Sequence, residues 1–106
     1  MIFRGAIYEI HALPGATGHE QQGGRLAVVI QSDQFASSTV TVAMTSTRAA
    51  RAVYRPEIDV DGQRRRIITD QVFSVDPSRL AAFRGALDAG EIGKLDRALL
   101  LKFGLL

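Results

Sequence analysis

The sequence predicts a mainly β (α+β) domain, a small, strongly bent antiparallel barrel followed by one C-terminal α-helix. Three observations predict it. Apolar or alternating segments of about four to eight residues recur between glycine-bearing turns, which is the pattern of short strands. Asp61-Gly62 stands between two such segments as a hairpin-turn signal. Helical periodicity is sustained only near the end, over 88–103, so runs of strand precede one terminal helix.

Taken in order, residues 3–10 read as a first strand, in which Gly5 interrupts the alternation at a bulge or tight bend. Residues 11–24 are a long loop carrying Pro14, Gly15, Gly18, Gly23 and Gly24. Structureless loops of that length are uncommon inside small domains and are usually functional. Residues 25–32 form a core strand, because Leu26-Ala27-Val28-Val29-Ile30 is the longest uninterrupted apolar run in the chain. Residues 34–38 are a polar connector with the makings of a short helical turn.

Residues 39–45 alternate cleanly, with Val40, Val42 and Met44 on one side and Thr41, Ala43 and Thr45 on the other. A second loop covers 46–51. The segments 55–60 and 64–69 flank the Asp61-Gly62 turn, and 71–75 continues as strand after a break near Asp70. Asp76-Pro77-Ser78 marks a turn or short helix start, with Asp as cap and Pro in the first position. Residues 82–87 form the last strand. The helix over 88–103 opens with Asp88 and Glu91 at capping-box spacing, and Gly104 is its stop. Ile92, Leu95, Leu99 and Phe103 form its apolar stripe. Leu100 and Leu101 fall off the stripe, which implies that the helix packs on two surfaces.

Composition narrows the function classes. At 106 residues the chain is read as a single domain, 1–106, with a modest core. A hydrophobic fraction of 46% with mean hydropathy +0.07 suits a folded globule with apolar surface left for a partner. No cysteine is present, which excludes disulfides, thiol nucleophiles and cysteine zinc sites. No apolar run approaches a membrane span and no leader pattern opens the chain, so a cytoplasmic location is expected. Two histidines, His11 and His19, spaced by eight make a weak metal case, and neither a metal nor any other cofactor is expected.

The net charge is only +2, but 11 of the 13 basic residues are arginine. Arginine binds phosphate through a planar fork that lysine lacks. A compositional bias, which the 14 alanines also suggest, would raise the arginine count by itself. Clustering is more telling: Arg48, Arg51, Arg55, Arg64, Arg65 and Arg66 fall within nineteen residues. Such a segment is the expected footprint of a nucleic-acid surface. Glu57, Asp59 and Asp61 lie among them, so a solvated hairpin is the alternative. Arg25 stands where the long polar loop meets the core strand, a place suited to holding a charge over a groove. Position alone favours an ordinary surface ion pair at a strand start.

Gly18-His19-Glu20-Gln21, a short gap and then Arg25 before an apolar strand resemble the loop of the MazF/PemK toxin family. Arg4-Gly5-Ala6-Ile7-Tyr8, Met44-Thr45-Ser46, Asp70-Gln71, Leu95 to Leu99 and Phe103-Gly104-Leu105 are similar to further blocks of that family, in its order. One departure stands out: Leu26 occupies the place where the family usually has proline.

The resemblance implies an SH3-like barrel and a sequence-specific, metal-independent endoribonuclease, the toxin of a type II toxin–antitoxin system. Its partners would be single-stranded RNA, a MazE-like antitoxin and a second copy of the chain. Such cleavage drives the ribose 2′-hydroxyl onto its own phosphate, which needs a base, cationic donors and an acid. By resemblance Arg25 and Thr45 are catalytic. Glu20 is the carboxylate available as base or as a partner that holds Arg25. His19, Gln21, Ser46, Thr47, Arg48, Arg51 and Arg55 are the expected RNA-binding residues. Two rival readings share the fold: a CcdB-like toxin that binds gyrase without cleaving, and an inactive SH3-like binding module. Neither needs the Glu20, Arg25 and Thr45 set.

Overall fold

A computed structural model describes residues 2–11 and 25–106. Among the described residues the strands are β1 (Ala6–Ile10), β2 (Leu26–Val29), β3 (Val40–Ser46), β4 (Glu57–Val60), β5 (Gln63–Val75) and β6 (Leu80–Ala86), followed by helix α1 (Ala89–Lys102). They form one sheet in the order β4-β5-β3-β2-β1-β6, every neighbouring pair antiparallel. The sheet curls into a half-barrel with α1 packed on it, which is the expected fold class.

Alternation sorts the side chains into two apolar clusters. Ala27, Val29, Val42 and Met44 join Ala6, Tyr8 and Ile10 on one face. Leu26, Val28 and Ala43 join Ile7, Ile58, Ile67 and Leu95 of the helix on the other. β2 is therefore buried along its whole length, and β3 is buried from Val42 to Thr45. This agrees with the apolar run at 26–30, although the paired strand is shorter than the sequence suggests.

The first strand begins at Ala6 rather than Phe3 because Gly5 turns the chain. Gly5 has φ +90°, and its amide donates to the Val29 carbonyl at 2.8 Å. A Cβ there would stand 2.7 Å from Ile92 Cδ1 of α1. Residues 33–38 form turns and bends instead of the helical turn expected from sequence. The β4–β5 hairpin turns on Asp61 (φ 53°) and Gly62 (φ 79°), two consecutive left-handed residues as a type I′ turn requires.

The expected break near Asp70 does not split the strand. β5 runs on from Gln63 to Val75, and the irregularity lies in its pairing. Ala43 faces Val72, but the next residue, Met44, faces Ile68, leaving Thr69, Asp70 and Gln71 as extra length. This bulge has a use, because it turns polar groups toward the loop between β3 and β4. Thr69 Oγ1 donates to the Tyr54 carbonyl. Asp70 accepts both ends of the Arg55 fork, Nε at 3.1 Å and Nη2 at 2.8 Å. Tyr54 lies under Lys102 Nζ, 4.7 Å from its ring centre, so the end of α1 joins the same cluster.

The sheet edges are tied by a charged clasp. Arg84 on β6 reaches Glu9 on β1 at 3.0 Å and Asp61 in the β4–β5 turn at 2.6 Å. α1 has the expected capping box: the Asp88 side chain accepts from the Glu91 amide, and the Glu91 side chain accepts from the Asp88 amide. It ends in a Schellman motif, with Gly104 at φ +70°, Gly104 N–H to the Leu101 carbonyl and Leu105 N–H to the Leu100 carbonyl. The expected stripe needs one correction. Ile92, Leu95 and Leu99 face the sheet, but the fourth inward residue is Ala98, and Phe103 is 57% exposed at the cap. Leu100, Leu101, Leu105 and Leu106 are exposed beside it. No helix of the described residues is long and apolar enough to cross a membrane.

Leu95 is completely buried and joins helix to sheet. Leu95→Ala should destabilise the fold by about 2–5 kcal/mol in urea unfolding, the usual range for such a cavity. The Arg55 hydrogen bonds hold the Asp70 carboxyl below the usual carboxylate range. A depressed folded pKa gives stability that is present above the unfolded pKa and is lost as pH falls through the folded one. Asp70→Asn should therefore lower the melting temperature at neutral pH, with the gap from wild type closing in acid below about pH 4.

Candidate active site

Two of the residues singled out by the sequence meet at one strand junction. β2 and β3 pair Ala27 with Met44, so Leu26 comes opposite Thr45. Thr45 is 3% exposed, and a hydroxyl so buried must find a partner. It donates to the Leu26 carbonyl at 2.8 Å. Thr45 is thus more than a β-branched residue in a strand: its hydroxyl fixes the start of β2.

Arg25 is the residue just before that strand. Its carbonyl accepts from the Ile10 amide at 3.1 Å, which ties it to β1. Its side chain is only 7% exposed, and Nε has no hydrogen-bond partner among the described residues. The backbone of Leu26 links Arg25 to the Thr45 hydroxyl. The Leu26 side chain is 2% exposed within the helix-side cluster.

A third residue reaches the junction that the motif reading did not select. Arg65 Nη1 lies 3.5 Å from Thr45 Oγ1, and its Nη2 donates to Gln63 Oε1 at 3.1 Å. Arg65 Nε is buried without a partner among the described residues. Burial pushes the pKa of this guanidinium down, and the neighbouring charge of Arg84 pushes it the same way. The signal was present in the sequence. In Arg64-Arg65-Arg66 leading into Ile67, period two puts Arg65 alone on the face of Ile67.

The rest of the basic segment divides by partner. Arg64 and Arg66 both pair with Glu57, at 3.5 and 2.6 Å. Arg55 is held by Asp70 and also donates to the Ala50 carbonyl at 3.2 Å. Arg48 and Arg51 are exposed on the loop after β3, as is Thr47. Ser46 Oγ accepts from the amides of Arg48 and Ala49 at 3.0 and 3.1 Å, so this hydroxyl shapes the loop. An open groove of about 510 Å³ runs between Arg51, Val53, Arg66 and Lys94. The hairpin is therefore partly a self-paired surface, while the loop carries exposed charge. His19, Glu20 and Gln21 lie outside the described residues.

Residues 3–103 match the family described as PemK-like, MazF-like toxin of type II toxin-antitoxin system. A Mycobacterium tuberculosis protein whose name marks it as a candidate toxin is 44% identical over 75 residues, 71% of each chain. Three solved structures share the fold at low identity. An endoribonuclease in complex with its cognate antitoxin, from a mycobacterial species, has TM-score 0.81 at 14% identity, covering 100% of this chain and 98% of that one. The Mycobacterium tuberculosis toxin MazF-mt6 has TM-score 0.77 at 17% identity, covering 95% and 98%. MazF from Deinococcus radiodurans has TM-score 0.78 at 21% identity, covering 97% and 96%. The extent of the family match and the 44% identity together decide the matter: this chain belongs to the PemK-like, MazF-like toxin family of type II toxin–antitoxin systems.

Proposed function

We propose that this chain is a toxin that cuts single-stranded RNA at specific sequences, without a metal, by attack of the ribose 2′-hydroxyl on the adjacent phosphate. One observation carries the reading. Arg25 is a buried guanidinium whose Nε has no partner among the described residues, one residue from the carbonyl that accepts from Thr45. A permanently charged group kept in that condition is suited to an anion that arrives with its own oxygens.

In the reaction the 2′-oxygen bonds to phosphorus and the bond to the 5′-oxygen breaks. The 2′-hydroxyl proton passes to a base and the departing 5′-oxygen takes up a proton. The products carry a 2′,3′-cyclic phosphate and a 5′-hydroxyl. Arg25 stabilises the charge on the phosphate oxygens, and Thr45 holds the strand start from which Arg25 projects. Glu20 is assigned the proton of the 2′-hydroxyl. His19, Gln21, Ser46, Thr47, Arg48 and Arg51 contact RNA from the two loops. Arg55, occupied by Asp70, serves by holding the loop that carries Arg48 and Arg51.

The partners follow from the surface. Leu100, Leu101, Phe103, Leu105 and Leu106 are exposed at the end of α1, and a second copy of the chain would cover them. An antitoxin segment, acidic and apolar and folding on binding, would lie over the basic groove and exclude RNA. Sedimentation at micromolar concentration should give a dimer; a monomer would remove the self-association.

Purified protein given a mixed RNA should cut it in EDTA and leave cyclic phosphate ends. An RNA with 2′-deoxyribose at the cut position should bind and stay whole. Arg25→Ala should lower the rate on the order of a hundredfold or more, as loss of an oxyanion donor does. Arg25→Lys should not rescue it, since the ammonium lacks the planar fork. Wild-type rates in Arg25→Ala, or a requirement for magnesium, would overturn this mechanism.

A further inference from the structure

Arg65 faces the apolar side of the sheet. It stands opposite Ile58 of β4 and shares a face with Ile67, two members of the cluster beneath α1. Among the described residues no carboxylate pairs with it there. The carboxylates on this side, Glu9 and Asp61, are both taken by Arg84, at 3.0 and 2.6 Å. Glu57 is shared by Arg64 and Arg66. The hydrogen bonds that Arg65 does make, to Thr45 Oγ1 and Gln63 Oε1, are to neutral oxygens. With five N–H donors, a guanidinium so placed keeps most of its capacity unused.

A half-buried cation among apolar side chains is costly, and replacing it with an apolar residue of similar shape would ordinarily cost little or even stabilise. Its position in the fold is therefore poorly explained by packing. Its contact with Thr45 is the clue to what it does. The Thr45 proton is committed to the Leu26 carbonyl, so the same oxygen can only accept from Arg65. That contact, at 3.5 Å, is long for a hydrogen bond and secures one corner of the guanidinium loosely. One further N–H on each terminal nitrogen remains for an incoming phosphate oxygen.

We propose that Arg65 is a second phosphate-binding residue of the active site, which takes an RNA phosphate oxygen while Thr45 steadies it. The inference rests on the RNA-cleaving reading above and adds a group to it. Arg25 is joined to Thr45 through the Leu26 backbone and Arg65 touches Thr45 directly, so two cations then belong to one junction. Charge that accumulates on the phosphate as the 2′-oxygen bonds is answered by both.

The test uses the full chain, a cleavable RNA, and the same RNA with 2′-deoxyribose at the cut position. Arg65→Met keeps the buried stem and removes the charge; Arg65→Gln is the second variant. Each should lower the cleavage rate about tenfold or more. On the uncleavable RNA the slope of log affinity against log salt should become shallower by about 0.7, the loss of one single-strand phosphate contact. Arg65→Met should melt no lower than wild type, which a stabilising role of the charge in the fold would not allow. An unchanged salt slope in both variants, or failure of both to fold, would overturn the proposal. A wild-type protein that neither cuts nor binds RNA would bring down the underlying reading and this inference with it. A wild type that cuts, with variants of unchanged slope, would remove the inference alone.

Discussion

The structure depends on the rule that a buried polar group must be paired, enforced where β2 meets β3. Both faces of these strands are covered, one by the apolar interior of the curl and the other by α1. A hydroxyl at Thr45 can enter that layer only by bonding to the Leu26 carbonyl. That bond fixes the first residue of β2 and, through it, the backbone of Arg25. Among the described residues, the buried side-chain atoms without a partner are Nε of Arg25 and Nε of Arg65. Among buried side-chain atoms of the described residues the rule is thus obeyed except at two guanidiniums, one joined to Thr45 through the Leu26 backbone and one touching its hydroxyl. An exception of that kind costs stability, and it is the observation on which the proposed phosphate-binding roles rest.

The surrounding fold serves that junction. The half-barrel leaves β4 and β6 as edges, and the Arg84 clasp to Glu9 and Asp61 draws those edges together. In doing so it occupies Glu9 and Asp61, and its own charge acts on Arg65. The bulge at Thr69 to Gln71 does comparable work on the other side. It pins the loop after β3 through Tyr54 and Arg55, so Arg48 and Arg51 stay outward while the base of their loop is held. A pair that looks like a surface ion pair therefore acts as a brace for the exposed charges.

Much of this was legible in the sequence where the cause is local. Asp61-Gly62 turned the hairpin because only residues tolerant of positive φ suit a type I′ turn, and Asp88 with Glu91 formed the capping box that their spacing allowed. The alternation over 39–45 gave β3 its two faces. What was not legible depended on distant partners. The slip near Asp70 resembled a strand break because the bulge is defined by its pairing with β3, which lies far back in the chain. Phe103 looked like part of the stripe because hydropathy favours it over Ala98, whose small side chain fits closely against the sheet. Counting arginines in 48–66 treated six residues alike, while their partners divide them into self-paired, exposed and inward-facing. Arg65 belonged to the count but was distinguishable only by its face. The candidate residues His19, Glu20 and Gln21 fall outside the described residues, so their part in the site rests on the sequence.

Leu26 brings these strands of reasoning together. Where the resemblance leads one to expect proline, leucine gives up a ring that would have locked φ and stiffened the approach to the strand. The start of β2 is held by its neighbours. The Leu26 side chain is buried among Val28, Ile67 and Leu95, and its carbonyl receives the Thr45 proton. The neighbouring Arg25 carbonyl is held by the Ile10 amide. Both bonds use main-chain carbonyls, which a proline at 26 would leave in place, so the burial of the Leu26 side chain is what leucine adds. Thr45 therefore has the same task whichever residue stands at 26: its one hydroxyl holds the start of β2 beside Arg25 and meets Arg65.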